Sequence, residues 1–389
     1  MPVRSFAWLA KALAAWAFCI SSASALDKDI ASRIEWRLGE SDLIDWQPPP
    51  SAVYQSETRE DQLVHVSVHI GTKHIRVRTR QVTHYPSVAS VQDEEFQKMT
   101  FDPETSRLVV FEAAVVSSAT IVKRFDPEKA VLDQQENDYV FTNYLNVMTP
   151  LPGLARGATK VLDYEVVTER DAMHTPWSRT YLPQVDHPRG EFRLTIEWER
   201  ANLRPILNSS YSHLKCTENE KSLTCSARDI SPARTDVDVY YFDELPQVQI
   251  AEQRSWDELI EQTRDSVDKA GKATALLKRT YASATRDNDN AKLAVFDYVS
   301  RDIRYVSYSQ DEHAIVPHDI DTTIRNQYGD CKDKSTLLVA MLAEAGIQAH
   351  PVLVATDRSD AAKLVVPAMS YFDHMAVCTL DAQGAPQEC

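Results

Sequence analysis

The most informative stretch of the sequence is residues 328–338, YGDCKDKSTLL. It predicts a helix that begins at about Cys331, continues to Ala345 and ends at Gly346, because glycine readily adopts the left-handed conformation found just past helix ends. Gly329 lets the backbone approach closely just ahead of the cysteine. The stretch therefore places one thiol at the start of a helix.

Cys331 is a candidate nucleophile because of this position. Helix N-termini expose free N–H groups and the positive end of the helix dipole, which stabilise a thiolate and lower the pKa of a thiol below about 8.5. Lys332 and Lys334 act in the same direction, whereas Asp330 and Asp333 oppose it, so the direction of the net shift stays open. The alternative is a small buried side chain without reactivity.

A matching base follows downstream. His374 lies at the entry of a predicted strand, residues 375–380, and an earlier strand is predicted over residues 349–355. A cysteine nucleophile needs a base that protonates the leaving amine, and imidazole titrates in the right range. The alternative for His374 is a surface or structural role.

The composition argues against two classes of function. The chain has 389 residues, with 42 basic and 57 acidic side chains and a net charge of −15 at pH 7. An acid excess disfavours nucleic-acid binding, which needs basic surface. The 9 glycines form no G-x-G-x-x-G motif and no phosphate loop, which disfavours nucleotide binding. We therefore expect no nucleic-acid partner and no cofactor.

Residues 1–25 are typical of a cleavable signal peptide. Arg4 supplies a positive start, residues 12–20 are apolar, and residues 23–25 offer the small side chains that a signal peptidase recognises. The apolar run is too short to span a bilayer and no later run is long enough, so we expect no integral membrane segment in the mature chain. The expected location is periplasmic or secreted, which is an oxidising environment.

Residues 26–50 form a lead-in segment, and residues 51–250 predict an antiparallel β-sandwich. Apolar and polar residues alternate over residues 191–199, a period of two that is typical of half-buried strands. The more continuous apolar runs, 108–116 and 161–167, are typical of strands covered on both faces. The role of this domain and the oligomeric state of the chain stay open.

The period of the hydrophobic pattern changes after residue 250, and residues 251–389 predict an α+β domain. A capping box, Ser255 with Glu258, begins a helix. The residues expected on its buried side are Trp256, Leu259, Ile260 and Val267. Asp289 or Asn290 begins a second helix, and the residues expected to be buried there are Leu293, Phe296, Val299 and Ile303. The helix at Cys331 is the third.

Cys216 and Cys225 bracket a polar octet that predicts a hairpin. In an oxidising compartment we expect a disulfide between them. A metal site that adds His213 to this pair lacks a fourth ligand, so we expect no metal. A disulfide between Cys378 and Cys331 is a less favoured alternative, because it would silence the nucleophile.

Together, these motifs resemble the transglutaminase-like proteins of bacteria. Residues 328–338 are similar to the nucleophile helix of that superfamily, and residues 373–377, DHMAV, to its histidine strand. Residues 303–306 and 316–318 are similar to its I-R-Y strand and its proline turn. The resemblance covers about residues 255–389 and implies a papain-like α+β core with Cys331 as the nucleophile and His374 as the base.

The β-sandwich resembles the uncharacterised β domain that often precedes such a core in exported bacterial proteins. The pieces that carry this resemblance are residues 151–153, 157–165 and 246–256. The expected architecture is therefore an N-terminal β-sandwich followed by a transglutaminase-like core.

The third member of the family's Cys-His-Asp triad is not evident. It should lie on the strand after His374, in a short Asp-Pro motif, and the sequence ends at Cys389 before such a motif. Asp373 adjoins His374 and faces the opposite side of the strand, and Asp381 also lies at an odd offset. We therefore expect a core truncated at its C-terminus, a triad acid beyond residue 389, and weak or no catalysis.

These observations support functions from two classes. The first is a cysteine acyltransferase or amidase that forms a thioester from a protein or peptide amide, with the Cys331 N–H and a second group among residues 305–310 as oxyanion donors. The second is a non-catalytic binding or scaffolding protein with a degenerate core. A cysteine peptidase is a further alternative, but a papain-type enzyme would need an asparagine after the histidine, and none follows Asn326.

Overall fold

The structure, a computed structural model, describes residues 28–54, 57–92, 94, 96–118, 121–134, 140–173, 175–234, 240–309 and 315–389. The predicted signal peptide, residues 1–25, lies outside the described residues. In the part of the chain that is described, no helix is both long enough and apolar enough to cross a membrane.

The described part of the chain before residue 252 consists mainly of a short helix and sixteen strands. The helix is α1, Lys28–Ser32. The strands are β1 Ile34–Trp36, β2 Glu60–Ile70, β3 His74–His84, β4 Phe96–Phe101, β5 Ser106–Ser118, β6 Ile121–Arg124, β7 Val131–Gln134, β8 Val140–Thr142, β9 Leu145–Pro150, β10 Thr159–Glu169, β11 Ser178–Tyr181, β12 Arg189–Trp198, β13 Ile206–Ser209, β14 Lys215–Asn219, β15 Ser222–Ile230 and β16 Val248–Ala251. A second short helix, α2, Tyr241–Glu244, precedes β16.

Fifteen of these strands form one large sheet and two small sheets. The large sheet has the order β1-β5-β10-β3-β2-β12-β15-β14, with β6 beside β5, and the small sheets have the orders β4-β9-β7 and β11-β16-β13. Both small sheets pack on the same face of the large sheet and bury two apolar clusters there. The sheet-on-sheet packing confirms the predicted fold class, although β1–β5 and β2–β12 are parallel pairs within a largely antiparallel sheet.

The alternation over residues 191–199 explains why β12 lies at the centre of one cluster. Phe192, Leu194, Ile196 and Trp198 are each at most 3% exposed. They pack with Trp177 and other residues of the small β11-β16-β13 sheet. Alternate side chains of a strand point to opposite faces, so one face of β12 is wholly apolar.

The continuous apolar run at residues 108–116 is mostly buried, as predicted, whereas Tyr164 and Val166 of the run at residues 161–167 are only half-buried. Consecutive residues Leu108, Val109 and Val110 are each at most 2% exposed. On the face opposite the small sheets, Leu43 and its neighbours cover Val161. Residues of the predicted lead-in segment thus complete the β domain.

Five helices and six strands follow among the residues that the structure describes from 252 onward. The helices are α3 Trp256–Ala270, α4 Ala275–Ala284, α5 Ala291–Asp297, α6 Ile320–Asn326 and α7 Cys331–Glu344. The strands are β17 Arg304–Tyr305, β18 Ser307–Ser309, β19 Tyr328–Gly329, β20 Ala349–Val354, β21 His374–Leu380 and β22 Pro386–Glu388. A π turn, Tyr298–Asp302, extends α5. The central helix α7 packs against β20 and β21 and against the other helices.

Three of the side chains expected on buried helix faces are exposed. Ile260 and Leu293 are each 49% exposed, and Phe296 is 54% exposed. The helices α4 and α6 were not predicted from the sequence. Both helices pack against α7 in one apolar cluster.

The two halves of the chain meet through specific contacts. Ser178 donates to Ser370 Oγ at 2.8 Å, and the Tyr371 hydroxyl donates to Gln249 Oε1 at 2.6 Å. The backbone of β18 pairs in parallel with that of β8. These contacts fix the β domain against the edge of the core at which α7 begins.

Candidate functional site

Cys331 is the first residue of α7, as the sequence predicts. The preceding Asp330 is the N-cap, and its carboxylate accepts hydrogen bonds from the N–H groups of Lys332, at 3.0 Å, and Asp333, at 3.2 Å. Asp333 completes a capping box by accepting the Asp330 N–H at 3.2 Å. The two carboxylates satisfy backbone donors that a helix start leaves unpaired.

Gly329 is required by the close packing of this turn. A Cβ atom at residue 329 would lie 2.6 Å from the Cβ of Asp333, which is shorter than real contacts of that kind. Any larger residue would displace the capping box that positions Cys331.

Charged groups around the thiol are buried in pairs. Lys332 and Asp330 form an ion pair in which both side chains are at most 7% exposed. Asp333 is paired with His318, whose Nδ1 lies 3.1 Å from Asp333 Oδ2. The positive charge that Lys332 was expected to lend to the thiolate is therefore largely neutralised by Asp330.

The sequence left open whether the pKa of the Cys331 thiol is raised or lowered, and the structure gives the direction. Burial and the neighbouring Asp330 carboxylate raise the pKa of Cys331 above its ordinary value. Hydrogen bonds from the N–H groups of Met375 and Lys332, with the Lys332 charge, oppose the rise but do not cancel it. A resting thiol rather than a thiolate therefore predominates at neutral pH.

Tyr305 lies against the thiol. Its hydroxyl is within hydrogen-bonding reach of both the sulfur and the backbone N–H of Cys331. Burial, followed by the Cys331 and Asp330 charges, raises the pKa of Tyr305 to about 12, so the phenol stays protonated and able to donate. The pairing of Tyr305 with Gly329 between β17 and β19 fixes its position.

His374 is the first residue of β21 and is exposed. Strand β21 is held against α7 by Ser335, whose hydroxyl donates to the Met375 carbonyl at 3.2 Å. Met375 is also the residue whose N–H reaches the Cys331 sulfur. The predicted base and nucleophile thus lie on adjoining elements at one end of the core.

A cavity of about 1120 Å³ joins these groups. Cys331, Tyr305 and His374 line one wall of it. Residues of β3, β10 and β11 line the facing wall, so the β domain forms part of the same site.

Neither candidate acid within the chain is placed to orient His374. Asp373 accepts hydrogen bonds from the Thr356 N–H, at 2.8 Å, and from the Thr356 hydroxyl. Burial tends to raise the pKa of Asp373, but these hydrogen bonds outweigh it and lower the pKa. Asp381 lies beyond the far end of β21, where it accepts the N–H groups of Gln383 and Ala385 in a turn. Among the described residues, no carboxylate is hydrogen-bonded to the His374 imidazole.

The described residues contain two disulfides. One joins Cys216 and Cys225, directly opposite each other on β14 and β15, as expected from the sequence. The other joins Cys378 to Cys389 across the hairpin of β21 and β22. The considered bond between Cys378 and Cys331 is therefore not formed, and Cys331 is a free thiol.

Sequence reasoning missed several groups near the site. The buried Asp330–Lys332 pair, the His318–Asp333 pair and the Cys378–Cys389 disulfide were not predicted. The disulfide had a usable signal, because a turn-forming Asp381 lies between the two cysteines. Among the described residues, no cluster of three or more histidine, cysteine or acidic side chains could hold a metal.

Comparison with known proteins agrees with this arrangement. Residues 274–378 match the model of the Transglutaminase-like superfamily, and residues 76–234 match a domain of unknown function, DUF3857. No curated protein matches the chain.

A solved structure shows the same architecture. A structure described as a "putative protease" from Parabacteroides distasonis is similar to this chain with a TM-score of 0.70 at 15% identity, covering 85% of this chain and 68% of that one. An M1 zinc metallopeptidase from Deinococcus radiodurans has a TM-score of only 0.26 at 13% identity, covering 50% of this chain and 42% of that one. The chain therefore has a transglutaminase-like core at residues 274–378, which a DUF3857 domain at residues 76–234 precedes.

Proposed function

We propose that this protein is a cysteine-dependent acyltransferase or amidase that acts on carboxamides of proteins or peptides. One observation carries the proposal. The thiol of Cys331, the hydroxyl of Tyr305 and the imidazole of His374 line one cavity that is large enough for a polypeptide segment.

The first step forms a thioester. The Cys331 sulfur attacks the carbonyl carbon of the amide while His374 takes the thiol proton, because the raised pKa leaves a thiol that must be deprotonated for attack. His374 then returns the proton to the nitrogen that departs as ammonia or an amine. Breaking the C–N bond leaves the acyl group on Cys331.

Two donors are available for the oxyanion of the tetrahedral intermediate. The Cys331 N–H lies within hydrogen-bonding reach of the Tyr305 hydroxyl, so a substrate oxygen that displaces this contact accepts from both groups. Tyr305 is a specific choice from the region, residues 305–310, in which a second donor was expected.

The thioester is resolved by a second substrate. Attack by water gives deamidation or hydrolysis, and attack by an amine gives crosslinking. In both cases His374 removes a proton from the attacking group and the Cys331 thiol is restored.

We further propose that the protein is exported. The support is the sequence of residues 1–25 together with two disulfides, which persist in oxidising compartments.

A second candidate is a non-catalytic binding protein with a degenerate core. It is favoured by the engagement of Asp373 with Thr356, which leaves the His374 imidazole without a hydrogen-bonded carboxylate among the described residues. A peptidase is a third candidate, supported by the description of the Parabacteroides distasonis neighbour.

The test is incorporation of a fluorescent primary amine into a glutamine-bearing protein, with ammonia release measured in parallel. We expect wild type to exceed C331S in at least one of the two measurements, whereas C216S, which removes a distant cysteine, should retain the activity. Cleavage of the polypeptide chain without ammonia release would favour the peptidase. Equal rates for wild type and C331S would favour the binding protein.

A further inference from the structure

The middle of the apolar face of the large sheet is less deeply buried than its two sides. The two small sheets bury the parts of this face on either side, where Ile75 and Leu108 are at most 1% exposed. Between them, five residues of β3 and β10 are only half-buried. They are Val77, Thr79, Tyr164, Val166 and Thr168, and we call them the open strip.

The open strip is continuous with the nucleophile. All five residues line the cavity of about 1120 Å³ that also contains Cys331 and His374. Along β10, from Tyr164 to Thr168, the strip extends about 13 Å at the usual rise of a strand, the length of about four residues of an extended peptide. The cavity also exceeds the roughly 300–1,000 Å³ of small-molecule pockets.

The open strip is uncharged. The Thr79 hydroxyl and Tyr164 are hydrogen-bonded to each other, and Thr168 is hydrogen-bonded to Ser106 at 2.9 Å. The charged residues that line the β-domain side of the cavity lie outside the strip, at Asp102, Glu104 and Arg179. Burying a charged side chain on the strip would leave it without a partner, which is costly.

We propose that the open strip is the subsite that binds an extended, uncharged segment of the substrate polypeptide beside the carboxamide that Cys331 attacks. This inference rests on the proposed function and assigns the DUF3857 domain the recognition of substrate. The apolar residues Val77 and Val166 contact neutral side chains of the segment. The hydroxyls of Thr79 and Thr168 form hydrogen bonds with its polar groups, as donors or as acceptors.

The test compares two alkylating probes of Cys331. The large probe is a peptide of alanine, threonine and valine with one chloroacetamide side chain, and the small probe is iodoacetamide. The rate of alkylation of Cys331, measured by mass spectrometry, needs no turnover, so the result is independent of whether the chain is an active acyltransferase.

The cleft variant is Thr168→Trp, and its matched control is Glu169→Trp, the next residue of β10, which is exposed on the other face. We expect T168W to lower the rate of alkylation by the peptide probe about tenfold and the rate of alkylation by iodoacetamide less than about twofold. We expect E169W to leave both rates within about twofold of wild type. A peptide-probe rate within twofold of wild type in T168W, or an equal loss in E169W, would overturn the proposal.

A second pair guards against misfolding of T168W. Thr79→Trp fills the strip from β3, and Arg76→Trp is its exposed control on the opposite face. Only a pair of variants whose circular dichroism spectra match that of wild type is used. For that pair, the rates of alkylation by the peptide probe and by iodoacetamide are compared under the same criteria. Absence of amine incorporation with a persistent peptide-probe effect would count against the proposed function and in favour of the subsite.

Discussion

The β domain and the end of the core at Cys331 place their buried charges in different surroundings. In the large sheet, Leu194 and Ile196 are fully buried among apolar side chains, and the buried carboxylates of Asp61 and Asp163 form ion pairs with arginine side chains. Around Cys331, by contrast, Asp330, Lys332 and Asp333 are all buried within two residues of a free thiol. Buried ion pairs contribute little net stability, so buried charges beside a free thiol indicate that this end of α7 is organised for chemistry.

The comparison predicts that changes at the two places have different consequences. Variants near Cys331 should alter reactivity and leave the fold intact, and variants in the β-domain hairpin should alter stability and leave reactivity intact. The following predictions run from the largest expected effect to the smallest.

The largest effect is expected from His374→Ala. Removing the base leaves the Cys331 thiol protonated and the departing amine without a proton donor, so kcat/KM for amine incorporation should fall about 10²–10⁴-fold. His350→Ala is the matched control, because His350 is exposed on the adjacent strand β20, opposite Cys378 rather than beside Cys331. Equal activity of the two variants would exclude His374 as the base.

The next effect is expected from Tyr305→Phe. If the hydroxyl donates to the oxyanion, kcat should fall about 10²–10³-fold with little change in KM, because the bond forms only in the transition state. Tyr328→Phe, on the paired strand β19, should be close to wild type. A rise in KM alone would instead make Tyr305 a substrate contact.

A smaller effect, on stability alone, is expected from removal of the β-domain disulfide. The double variant Cys216→Ala/Cys225→Ala should lower the free energy of unfolding of the β domain by about 2–3 kcal/mol on the loop-entropy model, with the rate of Cys331 alkylation unchanged. The neighbouring pair Thr217→Ala/Thr224→Ala, which is also directly opposed on β14 and β15, is the control. Urea unfolding followed by circular dichroism measures the difference, and equal midpoints for the two double variants would contradict it.

The smallest effect is expected from Asp330→Asn. Asparagine keeps the helix cap but removes a negative charge that, after burial, raises the pKa of Cys331, and it removes the carboxylate that pairs with Lys332. The pKa of Cys331 should fall, so alkylation by iodoacetamide should be faster than in wild type at pH 7 and the two rates should converge as the pH rises above both pKa values. Asp319→Asn, the N-cap of α6, should leave the pH profile unchanged. A slower reaction in D330N would show that Asp330 activates the thiol.

The features that the sequence revealed are those that depend on local pattern. Alternation located β12, the capping box located the start of α3, and Gly346 with its positive φ ended α7 as expected. The spacing of Cys216 and Cys225 around a polar hairpin was sufficient to pair them.

The features that were missed depend on tertiary contacts. Leu293 and Phe296 recur at helical spacing, but they lie on a solvent-exposed face. Side chains of other elements pack against α7 instead. The balance of charges at Cys331 could not be derived from the sequence, since it depends on the burial of Lys332 against Asp330. The open strip could not be predicted either, because it is defined by where two small sheets stop.

The central claim is that Cys331 carries the acyl group, and the most direct measurement is the mass of the covalent intermediate. Wild type and C331S are mixed with excess glutamine peptide, quenched in acid, and analysed by intact mass and peptide mapping. We expect a wild-type adduct equal to the peptide less ammonia, on the fragment that contains Cys331, released by hydroxylamine as expected of a thioester, and no adduct in C331S. Ammonia release by C331S at the wild-type rate, or an adduct on a different residue, would contradict the account.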